Sequence, residues 1–286
     1  MLTDTHAHLD YPDFADDFEE VLNRADAAGV KRILTIGTSL ESSRRAVALA
    51  EKYSHVFAVA GIHPTCAGEA PEGFVDELRA LAAHPRVVAI GETGLDYHRL
   101  PGDPGGASGP LAALGAATLE GTEADLANGA YKAAQADIFR IQLDLAVELG
   151  LNVVIHQRDA WSDTLEILRP YTGRVRGVFH CFGGSPDQAA EVIALGHLVS
   201  FTGIVTFKNA AMVIETAAAV PAGKWMVETD CPYLAPAPYR GGRCEPWHTR
   251  LVAEKIAEVR GITLDEAARE SEATAGGFFA FGRCSG

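Results

Sequence analysis

Asn152-Val153-Val154-Ile155-His156 is a short β-branched run that stops on a histidine. It is too short for a helix and rich in strand-forming residues, so it reads as a buried strand. Before it, Ile138, Ile141, Gln142, Leu145 and Leu149 fall at helical spacing, so a helix leads into the strand. Working outward, similar short apolar runs occur at 2–6, 32–36, 56–60, 87–90, 175–179, 197–201 and 224–227. Helical spacing recurs between them, as in Phe18, Val21, Leu22 and Ala25. Eight strands separated by helices predict an α/β fold with a parallel sheet. The number eight favours closure into a single (β/α)₈ TIM barrel covering residues 1–286. A doubly wound open sheet is the alternative. Thr263-Leu264-Asp265-Glu266 has the form of a capping box. It predicts a last helix, running to about Phe281, that covers the outside of the barrel.

One segment breaks the alternation. Residues 101–130, after the fourth strand, are rich in glycine and carry three prolines. They read as a long, weakly structured insertion on the catalytic face, either a mobile excursion or a substrate-gripping lid.

Composition limits the function classes. Hydrophobic residues make up 48% of the chain and charged residues 22%, which fits a folded globular protein. The net charge of −14 excludes a general basic surface for duplex DNA, so any nucleic-acid substrate must be held by local cations or bound metals. No apolar run is long enough to span a bilayer, and the N-terminus lacks a signal-peptide pattern. Five scattered cysteines with no C-x-x-C pair argue against a disulfide framework or a zinc ribbon. Together these features point to the cytoplasm.

His6 and His8 stand two apart on the first strand, so both side chains take the same face. Alone, the pair is as compatible with packed histidines as with a metal site. Other metal-competent residues end other apolar runs: Glu92 after 87–91, His156 after 153–155, His180 after 177–179 and Asp230 after 227–229. Strand C-terminal ends are where a (β/α)₈ barrel builds its active site. Six candidate ligands exceed one tetrahedral site and suit two divalent ions, with zinc, manganese, iron or magnesium all compatible with imidazole and carboxylate donors.

The motifs Asp4-Thr5-His6-Ala7-His8-Leu9-Asp10, Gly61-Ile62-His63-Pro64, Gly91-Glu92-Thr93-Gly94-Leu95-Asp96-Tyr97, Ile155-His156-Gln157-Arg158-Asp159-Ala160, Phe179-His180-Cys181-Phe182 and Glu228-Thr229-Asp230-Cys231-Pro232-Tyr233-Leu234 occur in that order. Together they resemble the TatD family of metal-dependent deoxyribonucleases, amidohydrolase-like barrels, over nearly the whole chain. The resemblance implies that His6 and His8 bind a first metal and that Glu92 bridges two metals. It implies His156 and His180 at the second metal, and Asp230 as both first-site ligand and general base. His63 would face substrate or relay a proton, though it could equally be a turn histidine before Pro64. The implied reaction is hydrolysis of a phosphodiester, with single-stranded DNA or a 3′ end as substrate. A metal-dependent ester or amide hydrolase, such as one acting on D-aminoacyl-tRNA, is the alternative, and a non-catalytic metal-binding module a remoter one.

Three arginines are candidates for phosphate contact: Arg158, two residues past His156, and Arg240 and Arg243 after the eighth strand. Each could equally be a solvated surface residue. Tyr97, Phe182 and Tyr239 are candidates for stacking a base, or for packing. The chain departs from the family in carrying Arg243-Cys244-Glu245-Pro246, with Cys where Asn is usual. Cys181 and Cys231, next to candidate ligands, read as small packing residues.

Overall fold

The computed structural model describes residues 1–103 and 121–282. Eight strands, β1 (Leu2–Ala7), β2 (Val30–Ile36), β3 (Val56–Ala60), β4 (Val87–Asp96), β5 (Val153–Arg158), β6 (Gly177–Phe179), β7 (Leu198–Phe201) and β8 (Trp225–Val227), pair in sequence order, and each pairing is parallel. The ring closes where Ala7 bridges Cys231. There the His8 amide donates to the Cys231 carbonyl and the Asp230 amide to the His6 carbonyl, both at 2.8 Å. The eight strands thus form a nearly closed barrel, and the open-sheet alternative is set aside.

The helices between strands are α1 (Phe18–Ala27), α2 (Leu40–Lys52), α3 (Phe74–Ala82), α4 (Thr122–Leu149), α5 (Trp161–Leu168), α6 (Pro186–Ala194) and α7 (Ala211–Ala219). Two more follow the last strand, α8 (Thr249–Arg260) and α9 (Leu264–Phe278). Period-two alternation divides each strand between two cores. Leu34 and Ile36 of β2 join Phe57, Val59, Val88, Val154, Val178, Leu198 and Met226 in an inner core, whereas Ile33, Ala58, Ile155 and Phe179 pack outward with the helices.

The capping box forms as expected: the Thr263 hydroxyl accepts from the Glu266 amide at 3.2 Å, and Glu266 accepts in return from the Thr263 amide at 2.8 Å. The helix it starts ends at Phe278; its first turns pack against β1, β8 and α8 with Ala267 and Ala268 in the outer core, as expected of a covering helix, and its end does something further. Phe278 and Phe279 belong to the inner core and plug the end of the barrel opposite the strand C-termini. Asn152 donates to the Phe278 carbonyl, and the Ala280 amide donates to the Val88 carbonyl at 3.3 Å. The inner residues at that mouth are apolar and would face water without the plug. Phe279→Ala is expected to lower unfolding stability by about 3–5 kcal/mol, read as a lowered urea midpoint at unchanged m-value.

Of the stretch expected at 101–130 to be weakly structured, residues 122–130 are helical, because α4 begins at Thr122. Glu123 and Asp125 sit in its first turn, where acidic residues suit the helix dipole, and alanines dominate the next turns. The expected mobile excursion or lid falls mainly on residues 104–120, which lie outside the described residues.

Candidate metal centre

His6 and His8 turn into the mouth at the strand C-termini, with their Nε2 atoms 3.4 Å apart. His8 Nδ1 donates to the Ile36 carbonyl at 3.2 Å. A carbonyl only accepts, so the proton belongs on Nδ1 and Nε2 is the atom free to bind a metal. Asp230 Oδ1 lies 3.4 Å from His8 Nε2 and 3.7 Å from His6 Nε2. Its backbone is left-handed, φ +62°, in the turn that follows β8. Asp4 holds that turn, accepting from the Thr229 amide at 2.9 Å and the Thr229 hydroxyl at 2.6 Å.

Glu92 joins the two halves of the site. Its Oε2 lies 3.4 Å from His6 Nε2 and 3.8 Å from His8 Nε2. Its Oε1 lies 2.9 Å from His156 Nδ1 and 2.7 Å from His180 Nε2. Glycines let β4 bend there. Gly94 has φ +139° and lies against the His156 backbone, so a Cβ would collide with it.

The residues fit a metal by spacing. Tetrahedral ligands about 2.0–2.2 Å from an ion lie roughly 3.3–3.6 Å from one another. The His6–His8, His6–Glu92 and His8–Asp230 pairs, each at 3.4 Å, meet that test. On the other side Glu92, His156 and His180 converge at 2.7–3.1 Å, close enough for one ion to draw them slightly apart. The histidine chemistry agrees. His156 Nε2 donates to Asp96 Oδ2 at 3.0 Å, which leaves Nδ1 for a metal. His6 Nδ1 is buried without a hydrogen-bond partner, as is His180 Nδ1, which lies 3.8 Å from Glu228 Oε1.

His63 is also near, with Nε2 3.5 Å from Glu92 Oε1, so distance alone would admit it as a ligand. Its Nδ1, however, accepts from the Thr65 amide at 3.1 Å. The proton therefore sits on Nε2, and His63 faces the site as a donor. Burial holds its pKa down to about 3, so the ring is neutral.

Burial alone would raise Glu92, but the surrounding imidazoles of His180, His63, His6 and His156 hold it well below the usual carboxylate range. Burial alone would lower His8 and His156. Asp230 with Glu92 raises His8 to about 9, and Asp96 with Glu92 raises His156 to about 9. The stability given by these charged rings is complete below the unfolded value near 6.5 and lost as pH rises through about 9. A metal needs the deprotonated nitrogens. Metal affinity is therefore expected to rise with pH across 6.5 to 9, with proton release measurable by calorimetry in buffers of different ionisation enthalpy.

A cleft of about 920 Å³ opens beside the ligands, lined in part by Tyr97, Lys132, Arg158, His180 and Asp230. Of the three arginines, Arg158 lines it. Arg240 stacks on Phe207, 4.1 Å from the ring centre. Arg243 is engaged elsewhere: Asp17 takes both arms of its guanidinium at 2.7 Å, with Glu245 at 2.9 Å and the Asp13 carbonyl at 2.7 Å. The geometry thus brings neither Arg240 nor Arg243 into the cleft. Phe182 is buried against Trp161 and Phe179, and Tyr239 packs on Trp247 and His248. Cys244 is buried in the core, as is Cys231.

Asp4, Asp96 and Glu228, which support the candidate ligands, are not singled out by the sequence. Each stands two or four residues from a candidate ligand on the same strand or strand end: Asp4 before His6, Asp96 after Glu92, Glu228 before Asp230. Extending the period-two count along each strand would have found them.

The TatD related DNase family matches residues 3–280. The chain belongs to the TatD family. Among relatives in that family, the uncharacterized metal-dependent hydrolase YabD of Bacillus subtilis (strain 168) is 38% identical over 269 residues, 94% of each chain. The 3′-5′ ssDNA/RNA exonuclease TatD of Enterobacter lignolyticus (strain SCF1) is 33% identical, covering 90% of this chain and 91% of its own. The crystal structure of YJJV, a TatD homolog from Escherichia coli K12, superposes with a TM-score of 0.81 at 28% identity, covering 97% of both chains. The TatD scaffold thus spans nearly all of this chain, including every strand that carries a candidate ligand.

Proposed function

We propose that this TatD-type metal-dependent hydrolase is a two-metal phosphodiesterase that removes nucleotides from the 3′ end of single-stranded DNA. The observation that carries the reading is Glu92, whose two oxygens face two separate histidine sets. His6, His8, Asp230 and Glu92 Oε2 would hold one divalent ion, and Glu92 Oε1, His156 and His180 the other. Zinc, manganese or magnesium would serve. When bound, such a pair supplies Lewis-acid charge to the phosphate oxygens and lowers the pKa of an attacking water.

The chain's own groups do the rest. Asp230 lines the cleft and, against its burial, is held in its ionised form by His8, His6 and His180, so it is placed to take the proton from the attacking water. His63 presents Nε2–H, which can donate to a phosphate or leaving oxygen. Arg158 lines the cleft as a phosphate contact. Relatives named as ssDNA/RNA exonucleases support a nucleic-acid substrate, and the net charge of −14 favours a single end over a long duplex. Among the described residues no helix is long and apolar enough to cross a membrane, and the four described cysteines are free. A cytoplasmic protein is consistent with both.

The deciding experiment follows 5′-labelled single-stranded DNA with the metal-loaded protein. Stepwise shortening from the 3′ end with release of mononucleotides is expected. Intact DNA together with rapid deacylation of D-aminoacyl-tRNA would replace this reading with the esterase one.

A further inference from the structure

One wall of the cleft is cationic, formed by Lys132 on α4 and Arg158 at the end of β5. The position of Lys132 is set by how α4 is registered on the barrel. Gln135 accepts from the Asp96 amide at 2.8 Å and donates to the Asp96 carbonyl at 3.0 Å. Gln142 grips Ile62 the same way, at 2.8 and 3.0 Å, and also donates to the Thr93 hydroxyl at 2.7 Å. Both glutamines are fully buried, so this face of α4 is locked to β4 and to the residues after β3. Lys132 precedes Gln135 by three residues and shares that face. The lock therefore carries it to the mouth of the barrel.

There its Nζ lies 4.5 Å from the centre of the Tyr97 ring. Tyr97 is itself fixed: its hydroxyl donates to Asp163 at 2.9 Å and its amide to the Arg158 carbonyl at 2.9 Å. Asp159 and Asp163 line the same cleft, but they pair with His98 and Tyr97, each at 2.9 Å. Neither Lys132 nor Arg158 has a carboxylate partner among the described residues, whereas Arg24, Arg45, Arg79 and Arg243 do. In a chain of net charge −14, two unpaired cations face the cleft that also holds His156, His180 and Asp230.

We propose that Lys132, with Arg158, binds the phosphate next to the one being cleaved, so that the enzyme favours strands with at least two phosphodiesters. The inference rests on the phosphodiesterase reading and adds the part of the substrate that this wall recognises. The test compares a DNA dinucleotide, which has one phosphodiester, with a trinucleotide, which has two. The protein is metal-loaded throughout.

The wild type is expected to prefer the trinucleotide by about tenfold or more in kcat/KM, as one charge-assisted contact would give. Lys132→Ala should collapse that preference to about twofold, mainly through KM, and reduce the salt dependence of trinucleotide cleavage by about 0.7 in log–log slope. Lys132→Met keeps the stem over Tyr97 and should behave like alanine, while Lys132→Arg should keep the preference. Equal losses on both substrates would overturn the proposal, since Lys132 would then act on the centre or the fold. So would an undiminished preference in the alanine and methionine variants. A wild type that cleaves neither substrate would overturn the phosphodiesterase reading itself; a wild type that cleaves both while the variants keep its preference would overturn only the role of Lys132.

Discussion

Asp230→Asn is expected to lower kcat by about 10²–10⁴-fold with a smaller change in KM, the range for losing a positioned general base. Asparagine keeps an oxygen that can stay where Oδ1 now lies, 3.4 Å from His8. What it loses is the ability to accept a proton. The carboxylate is well suited to the task in its ionised form. Burial would raise its pKa, but His8, His6 and His180 together hold it below the usual carboxylate range. The turn that presents it depends on Asp4 and Thr229 rather than on Asp230's side chain, so the fold should survive. The variant should therefore bind metal, melt near the wild type and turn over slowly. Loss of metal together with activity would show that Asp230 matters mainly as a ligand. Wild-type kcat would remove it from the role of base.

Glu92→Gln is expected to have the second large effect, on metal content as well as on rate. The substitution turns one carboxylate oxygen into an amide that donates, while both Oε1 and Oε2 now face imidazole nitrogens within 3.8 Å. Only one side of the site can keep an acceptor. Changing a partner behind a ligand already costs about 10–100-fold in metal affinity, and Glu92 is placed as a ligand itself. On the two-metal reading proposed above, the stoichiometry measured after dialysis should fall from two ions to one, with activity reduced by at least about 10²-fold. The variant also removes the negative charge that raises His156 and His180. Two ions retained at wild-type affinity would show that Glu92 does not bridge.

The fold was largely legible because each apolar run announces a strand. A run that meets His6, Glu92, His156, His180 or Asp230 marks a strand and the neighbourhood of its C-terminal end, though β4 runs on to Asp96 and β5 to Arg158. The structure brings these residues together at the predicted mouth. Two kinds of information were not local and could not be read that way. Arg243 looked free in sequence because, Glu245 apart, its partners, Asp17 and the Asp13 carbonyl, lie more than 200 residues away. The last helix, read from its capping box as an outer cover, serves as one over its first turns. That Phe278 and Phe279, at its end, would turn into the barrel depends on the shape of the mouth they fill. Likewise the proton on His63 Nε2 follows from a hydrogen bond to Thr65 that spacing does not reveal.

The plug also orders events during synthesis. Chains emerge N-terminus first, so the residues that complete the inside of this barrel leave the ribosome only after all eight strands. Until Phe278 and Phe279 arrive, Leu34, Phe57, Val88 and Met226 line a cup open at one end, and a nascent chain holding all eight strands is still unfinished. A stop codon in the final helix would spare every candidate ligand and still leave the protein without a dry interior. The chemistry sits at one rim of the barrel, and completion of the fold waits on the other.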